Sequence, residues 1–504
     1  MPSMTAPQIS SSGRYGHAGL AIAALAGAVL IGIIGLRLWL AHGLPLWLDE
    51  SWTGMIATQP GWTRFWREVW LDCNPPLYYA LMALWTGLAG ASDGALRLPS
   101  LIFMTGAALL PLIIQTPGLP RRAALGWAML ICLWWPGMEL AVDARGYALL
   151  FLLSVAQAMA FVRMMAAPHL GPAILWAILA SLAGLTHYHA LLVGGLQGLA
   201  LLWQHRARAV ALWPAALAFV PTFGWLAWHA PRLADYARPD IAWYEPMTPA
   251  LAGSFVRYAL GGTSGLHAAL LAGVLAVAAL ATRARVRQSP ATAKLWPAPS
   301  AGLRWLVLAS LAGLAIELIL GSLRPMLTDR YLVPLVPGLL LGLILAAQRM
   351  ARPGVTMAAL ILVFGLQLQP MALKQRLVMK TSYEFETASV ALATQGISGL
   401  VFVWDHPASH ILDHGSLAKL GGFFLHRAGQ TVPVRPIILN PSDNGNLRLQ
   451  QAAAPQDGII WIYNRARNSA ARRHGPAPAL WPGRACVHDH GAWVGTLACG
   501  PQRN

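Results

Sequence analysis

Residues Leu44–Leu84 read LPLWLDESWTGMIATQPGWTRFWREVWLDCNPPLYYALMAL, and the rest of the chain is interpreted around them. The stretch follows a long apolar run and begins with an adjacent pair of carboxylates, Asp49 and Glu50. Removing two carboxylates from water at the end of a membrane helix costs free energy, which favours a chemical role for the pair. The alternative is that Asp49 only caps the next helix, because aspartate is a favoured N-cap residue.

The composition is that of a polytopic membrane protein. Of the 504 residues, 56% are hydrophobic and only 11% are charged, whereas about a quarter of the residues of a soluble domain are charged. The net charge of +17 comes from short basic clusters between apolar runs, a pattern typical of topology signals. No aromatic-interleaved basic groove accompanies them, so nucleic acid is not expected as a partner.

The apolar runs predict about eleven membrane spans. The first, Ala18–Ala41, exceeds the roughly 20 residues that a crossing needs and is interpreted as an uncleaved span. Pro76–Leu88 is only about 13 residues long and starts with two prolines, so it is predicted to be a re-entrant or interfacial helix. The other predicted spans are 98–115, 123–138, 146–164, 173–188, 189–203, 211–229, 266–282, 304–321, 331–347 and 354–370.

The basic loops give the predicted orientation. They lie on the side of Arg14, which is then cytoplasmic by the positive-inside rule, and they hold Arg121, Arg122, Arg163, Arg206, Arg208, Arg283 through Arg304, Arg349 and Arg352. The 19 acidic residues fall on or near the opposite face. The expected location is the bacterial inner membrane, with the N-terminus cytoplasmic and the loop 42–97 periplasmic.

The chain divides into two predicted domains, a transmembrane domain (1–370) and a soluble periplasmic domain (371–504). In the second, apolar runs shorten to strand length and are separated by turn residues, which predicts a small α/β domain; the runs are Leu400–Trp404, Val432–Leu439 and Ile459–Tyr463. A disulfide between Cys486 and Cys499 is plausible in an oxidising compartment. Cys73 is expected to be unpaired.

Several outer segments bring polar side chains to the same membrane edge. Arginine suits a phosphate because its planar fork donates paired hydrogen bonds, and a carboxylate or histidine can accept a proton. A transferase that uses a lipid-linked phosphate needs both kinds of group. The segments contain Asp49-Glu50, Asp143 to Tyr147, Thr186 to His189, Arg324, and Asp329 to Tyr331.

These residues, in this order and spacing, resemble the GT-C glycosyltransferases of the dolichyl-phosphate-mannose protein mannosyltransferase type, a superfamily that includes the aminoarabinose transferases. The resemblance covers roughly residues 18 to 350. It rests on Asp49-Glu50, on Pro75-Pro76-Leu77-Tyr78-Tyr79, on Arg97-Leu98-Pro99, on Ala144-Arg145-Gly146-Tyr147, and on Arg330-Tyr331 with Pro334 and Pro337. Many relatives carry His or Lys before the paired prolines, where this chain has Asn74.

The resemblance implies an all-α GT-C fold with amphipathic juxtamembrane helices. It also implies an inverting transfer of a sugar from a polyprenyl-phosphate donor to a lipid, glycan or protein acceptor. Metal dependence varies across the superfamily, so a divalent metal ion is left open and no cofactor is certain. The implied catalytic residues are Asp49, Glu50 and Asp143, and the implied phosphate- or substrate-binding residues are Asn74, Arg145, Tyr147, His187, His189, Arg324, Arg330 and Tyr331.

Structural interpretations stay open beside these. Asp143 and Arg145 can form an ion pair at a helix start, and Arg330 can snorkel to the interface. His187 and His189 are two residues apart, which disfavours a shared metal ion on one helical face.

The tryptophans at positions 62, 66 and 70 recur at four-residue spacing, which indicates an interfacial helix rather than sugar stacking. The rival functions are a secondary transporter and a non-catalytic lipid-handling membrane protein. The carboxylates lie at one membrane edge and no internal repeat is evident, which favours an enzyme.

Overall fold

A computed structural model of the chain describes residues 17–238, 244–262, 264–288, 298–368, 372–373, 395–405, 413–439, 443–464, 481–490 and 494–502. Arg14, the predicted domain boundary at 370–371, and parts of the predicted loops 230–265 and 283–304 lie outside these residues.

The described chain is mostly helical. In chain order its helices are α1 (His17–Ala41), α2 (Leu48–Ala57), α3 (Trp62–Leu71), α4 (Leu77–Ala89), α5 (Asp93–Ile113), α6 (Arg121–Leu133), α7 (Pro136–Leu140), α8 (Tyr147–Ala166), α9 (Leu170–Gly184), α10 (Ala190–His205), α11 (Ala207–Val210), α12 (Val220–Tyr236), α13 (Pro249–Ala259), α14 (Gly265–Gln288), α15 (Ala301–Leu323), α16 (Val336–Gln348), α17 (Pro353–Leu366), α18 (His414–Arg427) and α19 (Gly445–Ala452). Short 3-10 helices, Trp213–Phe219 and Asp329–Leu335, lead into α12 and α16.

Within the described residues, six helical segments are long and apolar enough to cross a membrane. They are Ala24–Ala41, Asp93–Ile113, Tyr147–Ala166, Gly265–Gln288, Ala301–Leu323 and Asp329–Gln348. The predicted count of eleven is not confirmed, because the other predicted spans coincide with shorter helices. Shorter apolar helices include α4, α9 and α17.

Local sequence explains the boundaries of the segments around the carboxylate pair. Gly61, with φ 84°, begins α3, and Gly90, with φ 75°, ends α4; both φ values are favourable for glycine. The side chain of Ser92 accepts a hydrogen bond from the amide of Ala95 and so caps α5. These breaks divide residues 44–113 into three short helices, α2, α3 and α4, followed by the candidate span α5.

Helix α3 is strongly amphipathic, as its tryptophan spacing predicts. Trp62 and Trp66 are exposed, whereas Phe65 and Val69 on the other face are buried. Trp70 donates a hydrogen bond to the carbonyl of Trp228 in α12 (3.3 Å). The tryptophan face therefore packs partly against α12.

The C-terminal part contains a five-stranded sheet with the order β2-β1-β3-β5-β4. Its strands are β1 (Gly399–Asp405), β2 (Val434–Ile438), β3 (Asp457–Asn464), β4 (Arg484–His490) and β5 (Val494–Gln502). Strand β1 pairs in parallel with β2 and β3, whereas β5 pairs antiparallel with β3 and β4. The three strands predicted from sequence are confirmed, and Cys486 and Cys499, opposite each other on β4 and β5, form a disulfide.

Candidate functional site

Helix α2 carries both carboxylates, and that of Glu50 is completely enclosed. The guanidinium of Arg97 donates to both of its oxygens, from Nε (2.7 Å) and from Nη2 (2.5 Å). The amides of Ala144 (2.8 Å) and Trp47 (3.1 Å) donate one further hydrogen bond to each oxygen. Glu50 is 0% exposed. Four donors occupy the sites that a carboxylate offers, so Glu50 joins α2, α5 and the turn before α8.

Asp49 lies on the other side of α2 and is open to its surroundings. Its side chain is 32% exposed and forms an ion pair with Arg145, which is 96 residues further along the chain. The Nη1 atom of Arg330 lies 3.8 Å from the same carboxylate oxygen. The structure therefore brings together three of the residues that the sequence analysis placed in one site.

Two aromatic rings hold the guanidinium groups of Arg145 and Arg330. Arg145 lies 5.8 Å from the ring centre of Trp47 and 5.4 Å from that of Tyr147. Arg330 lies 6.0 Å and 5.6 Å from the same two rings. Cation–π contacts fix the direction of a guanidinium without occupying its hydrogen-bond donors. Apart from the nitrogen of Arg145 that pairs with Asp49, the donors can therefore face an anion.

Glu139, in α7, and Asp143, in the turn after α7, form the acidic edge of this cluster. The carboxylate of Asp143 accepts a hydrogen bond from Nε1 of Trp47 (3.1 Å). Burial, with a further contribution from Glu50, raises the pKa of Asp143. Burial, with contributions from Asp329 and Asp143, raises the pKa of Glu139 to about 7. These carboxyl groups can therefore hold protons closer to neutral pH than ordinary carboxyl groups do.

A small cavity adjoins Arg145, and Asn74, Tyr147 and His187 line it. The amide nitrogen of Asn74 donates to the carboxylate of Asp72 (2.8 Å). Nδ1 of His187 is buried and has no hydrogen-bond partner among the described residues. Burial, with a smaller contribution from His189, holds the pKa of His187 well below its ordinary value. His187 thus presents a neutral, unpaired ring nitrogen beside the cavity.

The rings of His187, His189 and Tyr331 form a cluster. The ring centre of Tyr331 lies 4.7 Å from that of His187 and 4.6 Å from that of His189, and the two histidine rings are 5.4 Å apart. Nδ1 of His189 lies 2.7 Å from the carboxylate of Glu317 on α15, and the hydroxyl of Tyr331 lies 2.9 Å from that of Tyr244. These contacts connect α15 to the segment that carries Arg330.

Two solved structures are similar to this one along almost their whole length. ArnT from Cupriavidus metallidurans in the apo state superimposes with a TM-score of 0.55 at 13% identity, covering 95% of this chain and 98% of that chain. The same protein bound to undecaprenyl phosphate superimposes with a TM-score of 0.53 at 14% identity, covering 95% and 97%. ArnT is a GT-C glycosyltransferase. This chain has the GT-C fold. No protein-family model and no curated protein matches it in sequence.

The position of Arg324 differs from the one expected from the sequence. It was expected beside the phosphate-binding residues, but its guanidinium is exposed and donates to the main-chain oxygen of Ala237. The described part of the chain shows no ion pair between Arg324 and Asp49. Arg324 directly follows α15, and its side chain extends to Ala237 at the end of α12.

The charges of the site bear on whether it suits a divalent metal ion or an anion. Among the residues that the structure describes, no group of three or more His, Cys, Asp and Glu side chains could hold a metal ion. Around Asp49 the neighbouring charges are guanidinium groups, which repel a cation and attract an anion. The donor set of the site fits a phosphate better than a metal ion.

The sequence analysis missed Glu317, Glu139 and the role of Trp47. Glu317 lies inside the predicted span 304–321, and an acidic residue within a span is itself a signal of function or of a buried partner. Glu139 lies in α7, just before the turn of Asp143 and Arg145, and its position in the sequence does not indicate that it approaches Asp143. Trp47 directly precedes α2, which places its ring over the residues that this helix contacts.

Proposed function

We propose that this protein is an inverting glycosyltransferase that moves a sugar from a polyprenyl-phosphate-linked donor to an acceptor at the periplasmic face of the bacterial inner membrane. The observation that carries the proposal is the carboxylate of Asp49 beside Arg145 and Arg330 in the fold of ArnT, a protein solved with undecaprenyl phosphate bound. In this proposal residues 1–370 form the catalytic membrane domain and 371–504 the periplasmic domain.

The donor phosphate is the group that Arg145 and Arg330 would bind. Guanidinium groups pair with phosphate oxygens through two parallel hydrogen bonds. One nitrogen of Arg145 is engaged by Asp49, and the contacts of both arginines with the ring of Tyr147 use none of their hydrogen-bond donors. Binding of the phosphate draws Arg145 away from Asp49. The carboxylate then loses its ion pair at the moment when the sugar arrives beside it.

Asp49 is the group that would accept the proton of the acceptor hydroxyl. As the proton moves to the carboxylate, the acceptor oxygen bonds to the anomeric carbon on the face opposite the phosphate. The bond between that carbon and the phosphate oxygen breaks, and its electron pair leaves with the polyprenyl phosphate, whose charge the two arginines stabilise. Attack from the opposite face inverts the anomeric configuration.

The other site residues would contact the sugar, position the charged side chains or offer a second proton acceptor. His187 and Asn74 line the cavity next to Arg145, where hydroxyl groups of the sugar would find a neutral ring nitrogen and an amide. Tyr147 contacts the two arginines and Tyr331 contacts the two histidines, so both tyrosines would help to position these side chains. Asp143 is the second candidate for the proton acceptor, because its raised pKa suits proton transfer near neutral pH.

The direct test uses purified protein in nanodiscs with polyprenyl-phosphate sugars and candidate glycolipid, glycan and protein acceptors. We expect free polyprenyl phosphate to appear in equal amount with glycosylated acceptor, and the product to have the inverted anomeric configuration. Absence of both products across donors and acceptors, from protein that binds polyprenyl phosphate, would reject the proposal.

A secondary transporter is the second candidate, and the pairing of His189 with the buried Glu317 favours it. Ionisable pairs inside a membrane bundle also serve as proton relays. The same protein would be placed in sealed vesicles with a pH gradient. Solute movement without release of lipid phosphate would support transport, whereas release of lipid phosphate without solute movement supports the transferase.

A further inference from the structure

Helix α18 of the C-terminal part contacts α2, which carries the carboxylate pair, and also α3 and the start of α5. Phe423 packs on α2, Lys419 and Ser416 bind α3, and Arg427 binds the start of α5. The sheet to which α18 belongs contributes one more contact, between Trp404 of β1 and Trp52 of α2, whose ring centres are 6.2 Å apart.

The contact with α2 depends on a glycine. A Cβ atom added to Gly54 would lie 2.4 Å from Cζ of Phe423 and 3.2 Å from Leu96, closer than real Cβ atoms come to a ring. Phe423 is 7% exposed, so its ring is held in place by its surroundings. Gly54 lies in the helix of Asp49, a little more than one turn beyond it, and the phenylalanine therefore fixes the position of that helix.

The contact with α3 depends on a buried carboxylate. Glu68 is 2% exposed, and its oxygens accept hydrogen bonds from Ser416 (2.6 Å), from Arg67 (2.8 Å) and from the ammonium group of Lys419. Arg67 also binds Asp413 (2.7 Å), the residue that caps α18. A buried carboxylate without compensating charge is costly, so α3 is built to receive α18.

The far end of α18 is bound to α5. Arg427 forms an ion pair with Asp93 and donates to the carbonyl of Ala91 (2.8 Å). Asp93 begins the helix that carries Arg97, the partner of Glu50. Helices α2 and α5, which meet in the ion pair of Glu50 with Arg97, are therefore both contacted by α18.

We infer that α18 is a brace that positions the Asp49 helix, and that Phe423 and Lys419 are positioning residues for the chemistry at Asp49. In this account the C-terminal part is required for the rate of the reaction, and donor binding at Arg145 and Arg330 does not depend on it. The kinetic consequence rests on the proposed function, whereas the mechanical consequence for α2 does not.

The mechanical test compares two phenylalanines of α18 in the full-length protein. Phe423→Ala removes the ring over Gly54. Phe424→Ala is the matched control, because the ring of Phe424 is equally buried but faces Phe402 of the sheet (6.0 Å). We expect at least about tenfold faster amide hydrogen exchange in α2 for Phe423→Ala than for Phe424→Ala. Equal exchange of α2 in the two variants overturns the brace, whatever the catalytic activity.

A compensation experiment keeps the inference testable if Phe423→Ala folds poorly. Gly54→Ala forces a methyl group against the ring, and Phe423→Leu in the same chain shortens the side chain and makes room for it. We expect Gly54→Ala to lower kcat by about 10- to 100-fold, because small displacements of a reacting group cost that much. The double variant should recover most of the loss. Independent, multiplicative effects of the two substitutions overturn the coupling.

Separate measurements of kcat and KM distinguish a positioning role from a general loss of structure. For Phe423→Ala and Lys419→Met we expect kcat to fall about tenfold, with KM for the polyprenyl-phosphate donor within about twofold of wild type; Lys419→Arg should restore kcat. A fall in donor affinity instead, at unchanged kcat, overturns the inference. Faster exchange in α2 of a wild type that transfers no sugar would count against the proposed function alone.

Discussion

Asp49 and Glu50 are neighbours in the sequence, but α2 turns their carboxylates toward opposite environments. Glu50 is 0% exposed, and the protein itself supplies all of its hydrogen-bond donors. Asp49 is 32% exposed and is bordered by Arg145 and Arg330. A saturated carboxylate joins helices, whereas a carboxylate with exchangeable partners can take part in binding and proton transfer. Under the proposed function, one acidic pair supplies both a structural group, Glu50, and a chemical group, Asp49.

The largest expected effect is a loss of stability when Glu50 loses its cationic partner. Arg97→Met leaves the enclosed carboxylate without its cation, and breaking a buried pair in this way costs about 3–5 kcal/mol of the free energy of unfolding. The measurement is the thermal midpoint and the yield of monodisperse protein in detergent. Arg448→Met, which breaks the exposed pair with Asp443, is the control and should change stability by less than about 1 kcal/mol.

The next effect lies on the Asp49 side and concerns affinity rather than stability. Arg145→Met and Arg330→Met each remove charge-assisted hydrogen bonds worth about 1.5–3 kcal/mol, so Kd for polyprenyl phosphate should rise about 10- to 100-fold. Titration with the lipid in nanodiscs measures the effect. Unchanged affinity in both variants would mean that the phosphate binds elsewhere. Arg324→Met is the control, because its side chain contacts Ala237 instead.

Glu317 extends the comparison to a third carboxylate. Glu317→Ala leaves Nδ1 of His189 without its partner on α15, which should cost about 1–3 kcal/mol of stability. Donor affinity should change little, because Arg145 and Arg330 are unaltered. The checks are the thermal midpoint and the lipid titration. A variant of full stability that no longer binds the donor would place Glu317 in the binding site itself.

The fourth expected effect is a pH dependence of stability. Burial raises the pKa of Glu139 from its ordinary 4.5 to about 7, so the folded protein binds this proton more tightly than the unfolded chain. The resulting stabilisation is fully present below about pH 4.5 and is lost as the pH rises through about 7. We expect the thermal midpoint to fall over this range and to fall less in Glu139→Gln. Identical pH profiles would contradict the assignment.

The sequence could predict the residues that meet at Asp49, because each one lies at the same end of an apolar run. Arg145 and Arg330 follow from that rule, and the GT-C fold follows from the order of the motifs. The strands Leu400–Trp404 and Ile459–Tyr463 follow from short apolar runs between turn residues.

The sequence could not predict which side of each helix those residues face. An apolar run indicates depth in the membrane but not rotation about the helix axis, so the different environments of Asp49 and Glu50 appear only in the structure. For the same reason Arg324 was placed in the site and Glu317 was missed. The contact of Phe423 with Gly54 joins residues far apart in the chain, and a single sequence carries no signal for it.

The central claim is that Asp49 takes the proton of the acceptor in a site where Arg145 and Arg330 hold the donor phosphate. The most direct measurement is single-turnover sugar transfer by Asp49→Asn in nanodiscs, with the thermal midpoint and polyprenyl phosphate affinity determined on the same preparation. We expect transfer to be about 10²- to 10⁴-fold slower than in wild type, with stability unchanged and the lipid still bound. Transfer at the wild-type rate by this folded variant would contradict the account.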